Sequence, residues 1–182
     1  TSIDVFVVDN YAYVADGKDG GLCVIDVTNP SNPQLINSYI MSDDTTYCVY
    51  VQDTYAYVGV RADNLYVVDV SDPQSPDVLG HLDTEPGSDN TRNMEVRGNI
   101  AYLANCTFGG LNIVDVSNPE NPFSLDWYDT PHRAWDLDVW DEFTFVSDRN
   151  TGLMIFNTSN LSDIQHVSTL DTPGDAYRID VL

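Results

Sequence analysis

Carboxylates are the side chains that this sequence offers most freely for chemistry. Of its 182 residues, 25 are Asp and 4 are Glu. Aspartate is short, bonds readily to its own backbone, and serves both turns and calcium sites. Acids fall in three polar loops: Asp16 and Asp19 in DGKDGG, Asp63 in VRADN, and Asp148 in DRNTG. With backbone carbonyls, Asp16, Asp19, Asp63 and Asp148 are the candidate ligands for calcium, the one cofactor expected. Their spacing matches no complete EF-hand loop. A second acidic set, SDDTT (42–46), DTEPGSDN (83–90) and DTP at 129–131 and 171–173, reads first as turns. Glu95, Asp138 and Asp180 lie in alternating apolar segments, where they either gather a cation or pair with Arg92, Arg133 and Arg178.

Other chemistries find less support. His81, His132 and His166 form no HxH or HExxH pattern, and neither a GxSxG elbow nor a phosphate loop occurs. No catalytic residue is assigned, and an enzyme is not expected. A carboxylate pair for glycoside hydrolysis carries no weight, because 25 Asp always supply some pair at a suitable distance. Trp127, Trp135 and Trp140, near His132 and Arg133, could stack on a sugar, although packing between sheets is the plainer reading. Glycosylation acceptor patterns begin at Asn105, Asn157 and Asn160; Asn105, in a variable loop, is the accessible candidate. Cys23, Cys48 and Cys106 are odd in number and lack a CxxC pair, so they read as small buried apolar groups.

Charge narrows the partners. There are 29 acids against 7 bases, a net charge of −22, and Lys18 is the single lysine. Nucleic acid and anionic membranes both need clustered Lys and Arg, so neither is an expected partner. Acids in this excess repel unless salt screens them or divalent ions bridge them. No apolar run approaches the roughly 18 to 20 residues of a membrane helix. The chain starts at Thr1, and reads as a processed mature chain or a piece of a longer one.

The elements that must position these residues repeat four times. LCVIDVTNPSNP (22–33) is followed by LYVVDVSDPQSP (65–76), LNIVDVSNPENP (111–122) and a decayed copy, LMIFNTSNLSDI (153–164). The key positions Asp26, Asp69, Asp115 and Asn157 fall 43, 46 and 42 residues apart. A period near 43 made of strand-like segments predicts an all-β propeller of four four-stranded blades. Each repeat reads as an inner alternating strand, a short turn, a YAYVA-like strand, a variable loop, the LCVIDV-like strand and an outer strand. The third strands are almost continuously apolar, as strands covered on both faces must be. Asp26, Asp69 and Asp115, with Thr28, Ser71 and Ser117, are expected to build the Asn-Pro turns. In the fourth copy Leu161 and Ile164 replace the prolines, so its outer turn is expected to be the least well pinned.

One domain spans 1–182, with repeats at about 3–46, 47–91, 92–134 and 135–176, and 177–182 begins a fifth. The chain thus carries a surplus inner strand. Ile3, Val5 and Val7 at one end, and Tyr177, Ile179 and Val181 at the other, compete for one slot and are the candidate interaction residues. A closed four-bladed ring with one end strand displaced is the favoured arrangement. Strand exchange between molecules, or membership of a larger ring, are the alternatives.

The repeats LCVIDVTNPSNP, LYVVDVSDPQSP and LNIVDVSNPENP, with YAYVADG upstream, closely resemble those of the LVIVD repeat family of β-propellers. The resemblance implies a secreted or cell-surface protein, as the family is found mostly in bacterial and archaeal proteins of that kind. The expected function is a non-catalytic extracellular scaffold for protein interaction or self-assembly, stabilised by calcium. A carbohydrate-binding module and a polysaccharide-acting hydrolase or lyase are the alternatives.

Overall fold

The computed structural model describes residues 3–18, 21–39, 45–61, 64–83, 90–106 and 110–181. In chain order the strands are β1 (Asp4–Val8), β2 (Tyr11–Ala15), the two-residue β3 (Gly17–Lys18), β4 (Leu22–Asp26) and β5 (Gln34–Tyr39). The second repeat gives β6 (Thr45–Gln52), β7 (Tyr55–Val60), β8 (Asn64–Asp69) and β9 (Asp77–Leu82). The third gives β10 (Thr91–Arg97), β11 (Ile100–Asn105), β12 (Gly110–Asp115) and β13 (Phe123–Tyr128). The fourth gives β14 (Ala134–Trp140), β15 (Phe143–Asp148), β16 (Gly152–Asn157) and β17 (Gln165–Leu170). Each repeat forms one antiparallel sheet, a blade, whose strands pair in sequence order, and β3 adds to the edge of blade 2 by pairing with β6. The all-β fold of four blades is therefore as the repeats predict.

Local chemistry explains the blade. The inner strand turns into the second at Asp9, Asp53, Gly98 and Asp141, all at φ between 52° and 59°. Aspartate is among the few side chains that tolerate this left-handed region. At the outer turn the Oδ1 atoms of Asp26, Asp69 and Asp115 each accept the amide two residues on, at 2.8 Å. Hydrogen bonds from Thr28 and Ser71 hold the Asp26 and Asp69 carboxyls below the usual carboxylate range. The decayed fourth turn is pinned like the others, contrary to expectation. Asn157 Oδ1 accepts Ser159 N at 2.9 Å, and Asn160 Oδ1 accepts Ser162 N as Asn118 accepts Glu120 N. An amide oxygen serves this turn as well as a carboxylate does, and the prolines are dispensable.

Blades stack by burying one face of each on the next. Tyr13, Ala15, Leu22 and Val24 of blade 1 meet Val49, Val51 and Val58 of blade 2. Tyr57, Leu65 and Val67 meet Met94, Val96 and Leu103 in the same way. Tyr102, Leu111 and Ile113 meet Leu137, Val139 and Val146. The outer ends are matched too. Asn37 donates to Gln74 O, and Asp126 accepts Ile164 N, so a fourth strand touches the next blade's turn. At the equivalent Gly80 the approach is so close that a Cβ would lie 2.5 Å from Pro119 O.

The favoured closed ring is not what the chain forms. Inner-strand packing runs from β1 to β6, β6 to β10 and β10 to β14, while β1 packs extensively on β2 and β6 alone. The blades make an open arc. Val5 and Val7 are 56% and 59% exposed, whereas Val49 and Val51, in the same register one blade on, are 4% and 5% exposed. At the other end Phe145, Leu153 and Ile155 are partly exposed, although their counterparts in the other blades are buried.

Candidate functional site

The inner strands carry most of the polar linkage between blades. Asp4 Oδ2 accepts Val49 N at 3.0 Å, and Glu95 Oε2 accepts Val139 N at 2.9 Å. Between blades 2 and 3 the side chain of Gln52 does this work, donating to Gly98 O at 2.8 Å and accepting Gly98 N at 3.0 Å. The surplus segment is held in the same manner. Asp136 Oδ2 accepts Ile179 N at 3.0 Å, and Asp138 Oδ2 accepts Val181 N at 2.6 Å. Residues 177–181 thus lie where the inner strand of a fifth blade would lie, without forming a sheet ladder. Asp175 anchors the approach: it accepts Arg149 Nε at 2.7 Å and the Tyr177 hydroxyl at 3.0 Å. These two bonds draw the Asp175 carboxyl below its ordinary range.

Among the described residues Glu95 and Asp138 do not pair with Arg92 or Arg178; each secures the backbone of the next inner strand. Glu95 also accepts Arg97 Nε at 2.6 Å, and burial pushes its carboxyl above the usual glutamate value.

A β-bulge interrupts three inner strands near their start, between Thr46 and Cys48, Thr91 and Asn93, and Ala134 and Asp136. The extra residues are Tyr47, Arg92 and Trp135. A bulge leaves its residue out of the ladder and re-aims its side chain. These three, with Ile3 of blade 1 and Tyr177 of the surplus strand, hold one register position and line a cavity of about 190 Å³ at the axial mouth. The Arg92 guanidinium lies 3.8 Å from the Tyr47 ring centre and 4.7 Å from that of Trp135. Tyr177 meets Trp135 edge-on at 5.2 Å, and the Arg149 guanidinium is 5.4 Å from the Tyr177 ring. Arginine stacked on aromatic rings keeps its charge while its planar faces are shielded from water.

The other expected site residues scatter. Asp16 follows β2 directly and Asp148 ends β15, equivalent positions in blades 1 and 4 at opposite ends of the arc, and Asp19 and Asp63 lie outside the described residues. Asp148 is fully buried, with Oδ2 accepting His132 N at 3.2 Å and Oδ1 unpartnered. Among the described residues no three His, Cys, Asp or Glu side chains gather as a metal would require. Asn105 is not the accessible loop residue expected. It ends β11, is completely buried, and its Oδ1 accepts the Thr91 hydroxyl at 2.9 Å. The three tryptophans do not cluster. Trp127 is on the outer strand of blade 3, while Trp135 and Trp140 are five residues apart on β14, a separation of roughly 17 Å along a strand. Cys23, Cys48 and Cys106 are buried and form no disulfide with one another, as expected. Of the end-strand residues, Ile3, Val5, Val7 and Tyr177 are exposed and Ile179 and Val181 partly so.

The family model for the LVIVD repeat matches the chain four times, at residues 1–41, 46–84, 88–130 and 131–172. No curated protein matches it in sequence. Among solved structures it is similar to the computationally designed Ika8 protein, at 12% identity and a TM-score of 0.75, over 97% of this chain and 51% of that one. It is similar to the designed Ika4 protein at 12% identity and 0.70, over 86% and 91%. It is also similar to the periplasmic gluconolactonase PpgL of Pseudomonas aeruginosa, at 16% and 0.74, over 89% and 54%. At these identities the likeness concerns the fold alone. The chain spans about half the length of Ika8 and of PpgL.

Proposed function

We propose that this chain, which belongs to the LVIVD repeat family, is an exported interaction and assembly module and not a catalyst. One observation carries the reading: an apolar face that is covered at three successive blade junctions is bare on blade 1, at Val5 and Val7. Blade 4 offers the complementary half of the same junction in Phe145, Leu153 and Ile155. The occupant that fits both ends is a second copy. Blade 4 of each copy would then seat on blade 1 of the other, two equal head-to-tail contacts that close a ring of eight blades. The half-length match to Ika8 and PpgL accords with an arc of this span.

Two features shape the association. The net charge of −22 on each copy opposes it, so salt should favour it. Calcium held by loop acids would act in the same direction, and a secreted or cell-surface setting would supply it. Residues 177–181 occupy the inner slot that β1 of the second copy needs, and must swing away. The catalytic alternative is disfavoured by the inner-strand acids, since Asp4, Glu95, Asp136 and Asp138 all spend oxygens on backbone amides.

Sedimentation velocity of the 182-residue chain in moderate salt, with calcium and then with chelator, tests this. The expected species is about 40 kDa, twice the 20.2 kDa chain. Val7→Asp should restore the monomer, and deletion of 175–182 should tighten association by removing the competitor. A monomer under every condition would overturn the reading, and an unchanged dimer in chelator would remove calcium from it.

A further inference from the structure

The axial mouth combines features that a purely structural cluster would not need. Its acids are committed: Asp4 accepts Val49 N, and Asp136 accepts Leu137 N, Ile179 N and the Asn93 side-chain amide. Its cations are not. Neither Arg92 nor Arg178 forms an ion pair with a carboxylate among the described residues, and Arg92 Nε is buried with no acceptor. A buried donor left unmade is costly. Rings of Tyr47 and Trp135 cover the faces of the Arg92 guanidinium, so what it can still offer is its edge, the part that binds carboxylate in a forked pair. In a chain with 7 bases and 29 acids, this cavity brings two guanidinium groups beside its two carboxylates, a local balance of charge, and the carboxylates' acceptor atoms are directed to backbone and side-chain amides.

We propose that this mouth binds a small carboxylate carried on a six-membered ring, with Arg92 and Arg178 holding the carboxylate and Trp135 and Tyr177 walling the ring. The volume of about 190 Å³ suits one such ring, since a cavity of about 150 Å³ admits benzene. The bulges supply the means. Each lifts one residue out of the ladder and turns it to the axis, so the site varies by residue type without disturbing a blade. The same chemistry is found in a uronic acid sugar and in an aromatic carboxylate. Tyr177 and Arg178 belong to the segment that association would displace, so the cavity is a property of the single copy and is read at low protein concentration.

The test is titration of the 182-residue chain with glucuronate, benzoate and neutral glucose, followed by the Trp135 indole N–H signal in two-dimensional NMR. Trp135→Phe assigns that signal. Saturable shifts with glucuronate or benzoate, and none with glucose, are expected; the stronger of the two names the source. Arg178→Gln, on an exposed residue, should weaken binding about tenfold, as a lost charged pair does. Arg92→Lys should weaken it comparably, because an ammonium cannot form the forked pair. Equal binding of glucose and glucuronate, no saturation with either carboxylate, or full affinity in Arg178→Gln would overturn the proposal.

Discussion

Val7 and Val51 occupy the same register position in successive inner strands, and their difference in exposure makes them a matched pair. Replacing each by Ala removes the same atoms. At Val51, 5% exposed, those atoms lie in the junction between blades 1 and 2. Their loss should cost about 1.6 kcal/mol of transfer energy, rising to about 2–3 kcal/mol with the cavity left behind. At Val7, 59% exposed, less than half of that burial exists to be lost, and the cost should be about 0.5 kcal/mol. Urea unfolding at low protein concentration reads the difference: a midpoint drop of about 1 M for Val51→Ala against a small one for Val7→Ala. Repeating the series at high concentration adds a second readout. If a second copy covers the bare face, the Val7→Ala cost grows with concentration while the Val51→Ala cost does not. Equal costs for the two variants in the dilute monomer would mean that blade 1 is covered within the chain, and the open arc would be refuted.

Other outcomes follow from individual residues. Burial raises the Glu95 carboxyl, so the folded chain holds that proton more tightly than the unfolded one. Its contribution therefore declines as pH rises from the usual glutamate value through the folded one. Thermal melts from pH 3.5 to 7 should show the native chain losing ground to Glu95→Gln across that window; a constant gap would contradict the assignment. Asp26 and Asp69 carry the opposite sign, their stabilisation fading as pH falls below the ordinary carboxylate range. Gly80→Ala would push a Cβ into Pro119 O and Glu120 O, both backbone. Prising blades 2 and 3 apart should cost about 1–3 kcal/mol in the same urea assay. The three thiols are buried, and burial raises that of Cys48 well above its ordinary value. A thiol reagent should label Cys48 only on unfolding, and rapid labelling of the native chain would contradict its packing.

The blade was legible because its signals are local. Asp26, Asp69 and Asp115 sit within two residues of the amides they bond, and the third strands declare their two-sided burial in an unbroken apolar run. The axial mouth was hidden because a bulge is a relation between two strands. Tyr47, Arg92 and Trp135 share no residue type, and only the register shifts reveal that they share a place. A trace existed all the same: each stands immediately before the alternating run of its inner strand. The open ends were invisible for another reason. Val5 and Val49 belong to equivalent segments, and nothing in an apolar pattern says whether a neighbour arrives to cover it. Asn105 misled because the second strand runs one residue further than its apolar pattern, carrying the side chain inside.

The junction between blades is the same device each time: an inner side chain bonded to the next backbone, an apolar middle, and a fourth strand against the next turn. Such a device knows only its neighbour. It fixes the step from one blade to the next but holds no count of steps, so nothing in it says when to stop. That is how one chain matches most of Ika4 and about half of Ika8. The number of blades in this architecture is then a property of supply, set by how many repeats are joined. The surplus strand, bonded to Asp136 and Asp138 of blade 4, takes the place of the next step's first strand without continuing it.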